Sequence, residues 1–424
     1  MCSFAGFSLG NCRIRLTAKT CRQPWREPSF PPPASGRLRS VRLLPFAINS
    51  TRQLVAVTVA LALSGCSRGP STGTGLAIGV GAIPGSPGYE QVVRGVEMAV
   101  ARLNETGGAG GTRFTVRLPD SVATSAVRVA QQLRDDPSVI AVVGHPESGN
   151  TVEVMPIYAD AEHAGANGVV AVSPTASSPR LTGISPWFFR VAPSDAEVAR
   201  DAARWVLDSL GARRAAIVYR NDSYGRDWSA TFARTFSEGF GDVVMRDPYL
   251  NGVVEWEAYA ALIAKLEPDV VLFPGDGDDA LALIRALKAR NVTAPFVGGD
   301  GTETMSSNAD AVGARYVAFF RAERATSKEA MEFLPKYRAK YQQDPDMFAA
   351  LSYDAALVIG RTVAAGARTR GSLRQALEKI GNGAPSVDGV AGRIAFDEKH
   401  DIKGRSVVIT RVTAATPSVG GSTP

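Results

Sequence analysis

Short apolar runs that alternate with helix-period segments constrain this chain more than any other feature. From Leu76 onward, Leu76–Val80, Phe114–Leu118, Val139–Val143, Val169–Ser173, Ala215–Tyr219, Val270–Phe273 and Tyr316–Phe320 read as strands. Runs of this length without polar alternation are what strands buried on both faces need. Helical patterns lie between them. Over Gln91–Asn104 the residues Val93, Val96, Val100 and Leu103 share one face, and Asp195–Leu210 starts on a capping residue and stops at Gly211. Such alternation implies parallel sheets covered by helices on both sides. It falls into two blocks, Leu76–Arg190 and a second that begins after the joint Val191–Asp195 and runs to about Phe320. The expected fold class is therefore α/β, with two doubly wound parallel-sheet lobes. Ligands of such sheets sit at the carboxyl ends of the strands, and two facing lobes turn that rim into a cleft.

The first 65 residues belong to a different regime. They hold nine of the 47 basic residues and one acid, Glu27, which leaves 38 basic and 40 acidic side chains beyond. The body is thus close to neutral despite a net charge of +6, and it exerts no overall pull on a phosphate backbone, so no nucleic-acid partner is expected. After Arg52 comes the apolar run Leu54–Leu63, too short to span a bilayer, which needs about 20 residues, but right for the core of a signal peptide. Leu63-Ser64-Gly65-Cys66 follows directly and resembles the bacterial lipobox, with Cys66 as the lipidation site. Several acyl chains on that cysteine would give lasting membrane attachment where one is marginal. The expected organisation is a disordered leader plus lipoprotein signal peptide (1–65), a flexible tether (66–74) and a loose tail (414–424), with a start near Val41 giving a more compact signal.

Loops after the strands carry the polar candidates. Gly144–Asn150 follows Val139–Val143 and precedes a helix expected near Thr151; Ser148 and neighbouring N–H groups there suit a carboxylate, or equally a helix cap. Ser173–Pro179 brings Thr175 and Ser177 to the same rim, although taken alone it is an ordinary turn. Tyr224 in Asn221–Arg226 could enter from the second block. In Gly275–Asp279, Asp278 or Asp279 is expected to cap the next helix, which leaves Asp276 for the cleft. Asp300, between glycines in Gly298–Gly301, offers a carboxylate for an ammonium group.

Enzyme signatures fail. Pro84 stands where a dinucleotide fingerprint after Gly79-Val-Gly81 needs glycine, and Pro146 occupies the first glycine position of a nucleophile elbow around Ser148. The three histidines, His145, His163 and His400, lack zinc spacing, and the Gly275–Asp279 segment lacks the later ligands of a calcium loop. No cofactor or metal is expected, and no enzymatic activity.

The motifs in order resemble the branched-chain amino-acid (leucine/isoleucine/valine) binding proteins of bacterial ABC transporters, with the type I periplasmic binding fold. The resemblance covers nearly all of 75–412. It rests on the Gly-rich turn after Ala99–Gly108, Val142–His145, Pro156–Ala159, Ser173–Pro179, Phe189–Val191, Ser223–Gly225, Gly298–Gly301, Ala350–Asp354, Asp388-Gly389 and Gly392–Asp397. It implies a three-segment hinge near Arg190–Asp195, Phe320–Glu323 and Val387–Val390. The lobes would then be 75–192 plus 322–388 and 193–321 plus 389–413. It also implies that Ser148, the Thr175 backbone and the Ser177 hydroxyl hold a ligand carboxylate. Tyr224 would contact the ligand from the second lobe, Asp300 would receive the α-ammonium, and Tyr89 would stand at the pocket edge. Many leucine-type relatives have an aromatic where this chain has Asp276-Gly277, so the side-chain pocket is more acidic and less apolar than theirs, which opens it beyond leucine, isoleucine and valine to a polar or cationic amino acid, or an amide or urea-like solute.

The function this implies is a lipid-anchored, monomeric solute receptor outside the cytoplasmic membrane that closes on a small amino-acid-like ligand and delivers it to permease subunits. A ligand-sensing module or a regulator of cell-wall enzymes on the same fold are the alternatives.

Overall fold

The computed structural model describes residues 76–250, 252, 254–405 and 407–413. The leader and signal peptide, Cys66, the tether and the tail expected from the sequence lie outside the described residues.

The first sheet contains β1 (Leu76–Gly81), β2 (Phe114–Arg117), β3 (Val139–Gly144), β4 (Val170–Ser173) and β5 (Phe188–Arg190). Its order is β2-β1-β3-β4-β5 and every neighbouring pair is parallel. Helices α1 (Tyr89–Glu105), α2 (Ala126–Asp135) and α3 (Ser148–Tyr158) follow β1, β2 and β3. The second sheet is built from β6 (Arg214–Arg220), β7 (Asp242–Tyr249), β8 (Val270–Phe273), β9 (Phe296–Gly298) and β10 (Arg315–Ala318). Helices α4 (Asp195–Ser209), α5 (Ser223–Glu238), α6 (Trp256–Leu266) and α7 (Gly277–Ala289) accompany it. The chain then returns to the first lobe with α8 (Lys328–Tyr341), α9 (Met347–Ala364) and α10 (Arg370–Leu377). The hairpin β11 (Val387–Gly389) and β12 (Gly392–Ile394) comes next, and β13 (Val408–Arg411) pairs antiparallel to β10.

Both sheets are buried on both faces, as the apolar strands require. In β1, Ile78 and Val80 enter one core and Ala77 another; in β6, Ala215 and Ile217 face one core while Ala216 and Val218 face another. The period-2 alternation of a strand thus feeds two layers of helices. One core is continuous between the lobes through Phe189, Val191, Ala192, Phe319 and Phe320, so the first two crossings are apolar. Helix α9 is long and apolar enough to cross a membrane, but it is 83% buried and packs against α1, which marks it as a core helix. Gly95 permits that packing, because a Cβ there would lie 2.3 Å from the Ala349 carbonyl oxygen.

Some expectations are corrected. The edge strand β7 was not predicted, because its apolar stretch Val243–Met245 is short, flanked by charges and followed by Pro248, which an edge tolerates. The strand expected at Tyr316–Phe320 ends at Ala318, and Phe319-Phe320 leaves the sheet for the hinge. The third passage between lobes does not lie at Val387–Val390, nor does the second lobe begin at 389. Asp354 of α9, fully buried, accepts the N–H of Val390 at 2.5 Å and of Ala391 at 3.1 Å. Asp401 accepts Arg190 Nε at 2.6 Å, and the Phe396 ring lies edge-on to Phe189 at 5.1 Å. Buried carboxylate and guanidinium groups must find partners, and they hold 389–403 on the first lobe. The chain joins the second sheet only at β13, and Arg405, just before it, bonds to Asp354 Oδ2 at 3.1 Å and to the Val191 carbonyl at 2.8 Å.

Candidate functional site

The carboxyl ends of the two sheets face each other across a cleft with an open volume of ≈ 90 Å³, lined by Ser148, Thr175 and Ser177 from the first lobe and Tyr224, Asp276 and Asp300 from the second. Six of the seven ligand-site residues singled out in the sequence therefore share one space. Tyr89 does not line it. Gly88 turns the chain in the left-handed region (φ 77°), and Tyr89, opening α1, packs half-buried against the first-lobe core. Gly88 itself and Phe348, at the start of α9, take that edge.

The first-lobe wall is the start of α3. This helix begins at Ser148, earlier than the expected Thr151, with Glu147 as its N-cap residue and no side-chain cap. Its first N–H groups are thus left for an anion. Ser148 Oγ accepts the N–H of Ser177 at 3.2 Å and of Ser178 at 3.1 Å, which leaves its own proton to donate. Thr175 Oγ1 donates to the Pro146 carbonyl at 2.7 Å and Ser173 Oγ to that of His145 at 2.6 Å, so the two loops are stitched into one rigid surface.

The opposite wall is acidic. Tyr224 Oη donates to Asp300 Oδ1 at 3.0 Å and accepts the Gly301 N–H at 3.3 Å. Gly299 makes this approach possible, since a Cβ there would fall 2.2 Å from Tyr224 Oη. Burial pushes the Asp300 carboxyl up to about 7, against the opposing effect of its hydrogen bonds. Asp195 lies behind it. It was read as the cap of α4, but Ser194 caps that helix by accepting the Ala196 N–H, and Asp195 is its first residue, fully buried. Asp195 Oδ2 accepts Ser177 Oγ at 3.0 Å, whereas Oδ1 has no hydrogen-bond partner. Burial, and then the neighbouring charge of Asp300, raises this carboxyl well above the usual range.

Asp276 needs correction. It is the N-cap residue of α7, while Asp278 and Asp279 sit in the first turn, and it is not a free acid. Arg220, at the end of β6, donates from Nη1 to both Asp276 oxygens at 2.5 and 2.6 Å and from Nε to Asp222 at 2.6 Å. Glu147 faces this group from the first lobe. Burial raises its carboxyl, Arg220 lowers it, and Asp276 and Asp222 raise it again. Sequence reasoning missed Glu147, Asp195, Arg220 and Phe348. Arg220 had a usable signal, a charge ending a predicted strand on the ligand rim; Phe348 had none, because it comes from the returning α9.

The lobes also touch each other directly. Ser178 Oγ donates to Asp227 at 2.5 Å, Arg180 pairs with Asp227 at 3.2 Å, and Glu303 accepts the Met347 N–H at 3.0 Å. Among the described residues, no group of three His, Cys, Asp or Glu side chains is placed to hold a metal.

Residues 84–417 match the family described as periplasmic binding protein. The chain is 27% identical over 324 residues to the Leu/Ile/Val-binding protein homolog 1 of Brucella abortus, covering 74% of this chain and 83% of that protein. It is 26% identical over 320 residues to the Leu/Ile/Val-binding protein of Escherichia coli K12, covering 74% and 84%. Among solved structures it superposes on the branched-chain amino acid transporter substrate binding protein LivJ of Streptococcus pneumoniae in complex with isoleucine. That match has a TM-score of 0.70 at 25% identity, covering 80% of this chain and 96% of that one. With two mostly parallel sheets, a polar cleft between their carboxyl ends and a family match over most of its length, the chain belongs to the periplasmic binding proteins, with the type I fold.

Proposed function

We propose that this chain is the extracytoplasmic solute receptor of an ABC transporter and that it binds a small amino-acid-like ligand between its lobes by hinge closure. The observation that carries the reading is the complementarity of the cleft to a zwitterion. The uncapped start of α3 with Ser148 suits a carboxylate, and the buried acid Asp300 with Tyr224, both lining the cleft, suits an ammonium group. The Ser177 hydroxyl, expected on the ligand carboxylate, is instead spent on Asp195, and that of Thr175 on the Pro146 carbonyl, so Ser148 and the start of α3 are left to hold the carboxylate, while Asp276, paired with Arg220, borders the far end. The relatives named for leucine, isoleucine and valine, and the isoleucine held by the pneumococcal protein, support an α-amino acid as the common element. The chain works without catalysis, as a monomer, anchored through lipid on Cys66 and delivering its ligand to permease subunits.

A thermal-shift screen with amino acids, amides, ureas and polyamines tests this. A ligand at 100 times its Kd stabilises the protein by about 2.7 kcal/mol. A protein that no α-amino acid stabilises would contradict the proposal.

A further inference from the structure

The far end of the cleft is not built for hydrocarbon. Away from Asp300, the residues Glu147, Asp276 and Asp278 line the space with Arg220, three carboxylates against one guanidinium. Arg220 is already committed to Asp276 and Asp222, both within 2.6 Å. Glu147 accepts Asn150 Nδ2 at 2.6 Å, on its own helix, and so stands opposite Asp276 with an excess of negative charge between the lobes. Beside them Pro87, Pro146, Met347 and Phe348 form an apolar strip.

Four kinds of side chain could occupy this end, and the charges decide between them. A neutral amide or urea group can donate hydrogen bonds to the acids but leaves their excess charge unneutralised. An apolar side chain would press hydrocarbon against Glu147 and Asp276 on closure and strip their water without return. An anionic side chain would have to take Arg220 from Asp276, leaving that carboxylate and Glu147 unneutralised in a closed cleft. A cation on an aliphatic stem lays its methylenes along the apolar strip and places its charge between the two acids. We infer that the ligand is a basic α-amino acid, its distal cation held between Glu147 of the first lobe and Asp276 of the second. This rests on the reading of the cleft as an amino-acid site, with Asp300 at the ammonium end. Because the two acids belong to different lobes, the cation would also draw the lobes together, so that selectivity and closure share one contact.

The test uses isosteric pairs on the full chain: calorimetric titration with arginine against citrulline, and lysine against norleucine. The inference expects the cationic member of each pair to bind more tightly by roughly tenfold or more, the scale of a partly buried charge-assisted contact. Glu147→Gln and Asp276→Asn should each narrow the arginine-to-citrulline ratio, while a thermal melt checks that the variants fold. The wild-type ratios alone decide the matter if a variant does not fold. Equal or tighter binding of citrulline and norleucine overturns the inference and leaves the amino-acid site standing. Failure of every α-amino acid to bind overturns both.

Discussion

Tyr224 Oη donates a hydrogen bond to Asp300 Oδ1 at 3.0 Å, and both groups come from the second lobe, buried in the floor of the cleft. The cation that favours the ionised form of Asp300, Arg220, is itself bound to Asp222 and Asp276. Asp300 is therefore a carboxyl held in place but not neutralised, with the polar start of α3 across from it.

Replacing it separates a ligand anchor from a structural cap. With Asp300→Asn the ligand-free protein should keep or improve its stability, because a costly buried acid is removed and Tyr224 still finds an acceptor. Affinity should fall by two orders of magnitude or more, since removing one partner of a buried pair costs about 3–5 kcal/mol. Calorimetric titration with the ligand found by screening checks this. A lowered melting temperature with unchanged affinity would assign Asp300 to the turn alone.

The lobes and their rims were legible because buried parallel strands leave an unbroken apolar signature and the loops after them carry Ser148, Thr175, Ser177, Tyr224 and Asp300. What stayed hidden depends on chain segments far apart in sequence. Asp276 looked like a free acid because Arg220, which it shares with Asp222, lies 56 positions earlier. The third crossing was misplaced because Asp354, in the middle of an apolar helix, captures the backbone at Val390 and Ala391. Tyr89 failed as a cleft residue because one glycine before it sets the direction in which α1 starts.

The bond from the Met347 N–H to Glu303 joins the start of α9 to the second lobe, and burial beside Asp346 raises the Glu303 carboxyl to about 8. Near neutral pH it acts mostly as a neutral acceptor. Glu303→Gln should thus bind ligand nearly as the wild type does. Glu303→Ala leaves the Met347 N–H without a partner whenever the lobes are in contact, a cost of about 1–3 kcal/mol that hinge opening relieves by exposing it to water. Its affinity should fall by the corresponding factor while its ligand-free melting temperature changes little. Titration and melting of both variants provide the comparison.

At the hinge, Arg405 and Asp354 are a buried ion pair, with side chains 3% and 0% exposed. Asp354→Leu strands the guanidinium and also deprives two backbone N–H groups of their acceptor. Urea denaturation should show a loss of about 3–5 kcal/mol. Lys336→Ala removes an ion pair to Glu105 whose side chains are about half exposed, and should cost under about 1 kcal/mol. Similar losses for the two would refute a structural role for the hinge pair.

Membrane attachment is expected to depend on Cys66 alone. Cys66→Ser should leave the protein unprocessed or release it from membrane fractions, and mass spectrometry of the wild type should find acyl chains on an N-terminal Cys66. A mature terminus elsewhere would remove the anchor from the proposal.

Acidity should act on folding and on binding with opposite signs. Asp300 holds its proton up to about 7 in the folded chain but only to about 3.8 once unfolded. Between those values the unfolded state binds fewer protons, so stability falls as pH rises. The contribution is complete below about 3.8 and is lost as pH passes through about 7. Ligand binding runs the other way. An ammonium group needs the ionised carboxylate, so closure around it must expel the Asp300 proton, and affinity should climb with pH until about 7 and then level off. The raised Glu303 carboxyl titrates nearby and adds its own slope to stability, so the wild type must be compared with Asp300→Asn. Melting temperature and Kd measured from about pH 5 to about pH 8 should show both slopes in the wild type. In the variant the affinity slope should flatten, and the stability slope should shrink to what Glu303 and the other buried acids supply. If the variant keeps the wild-type rise in affinity with pH, a different group is the one that surrenders its proton to the ligand.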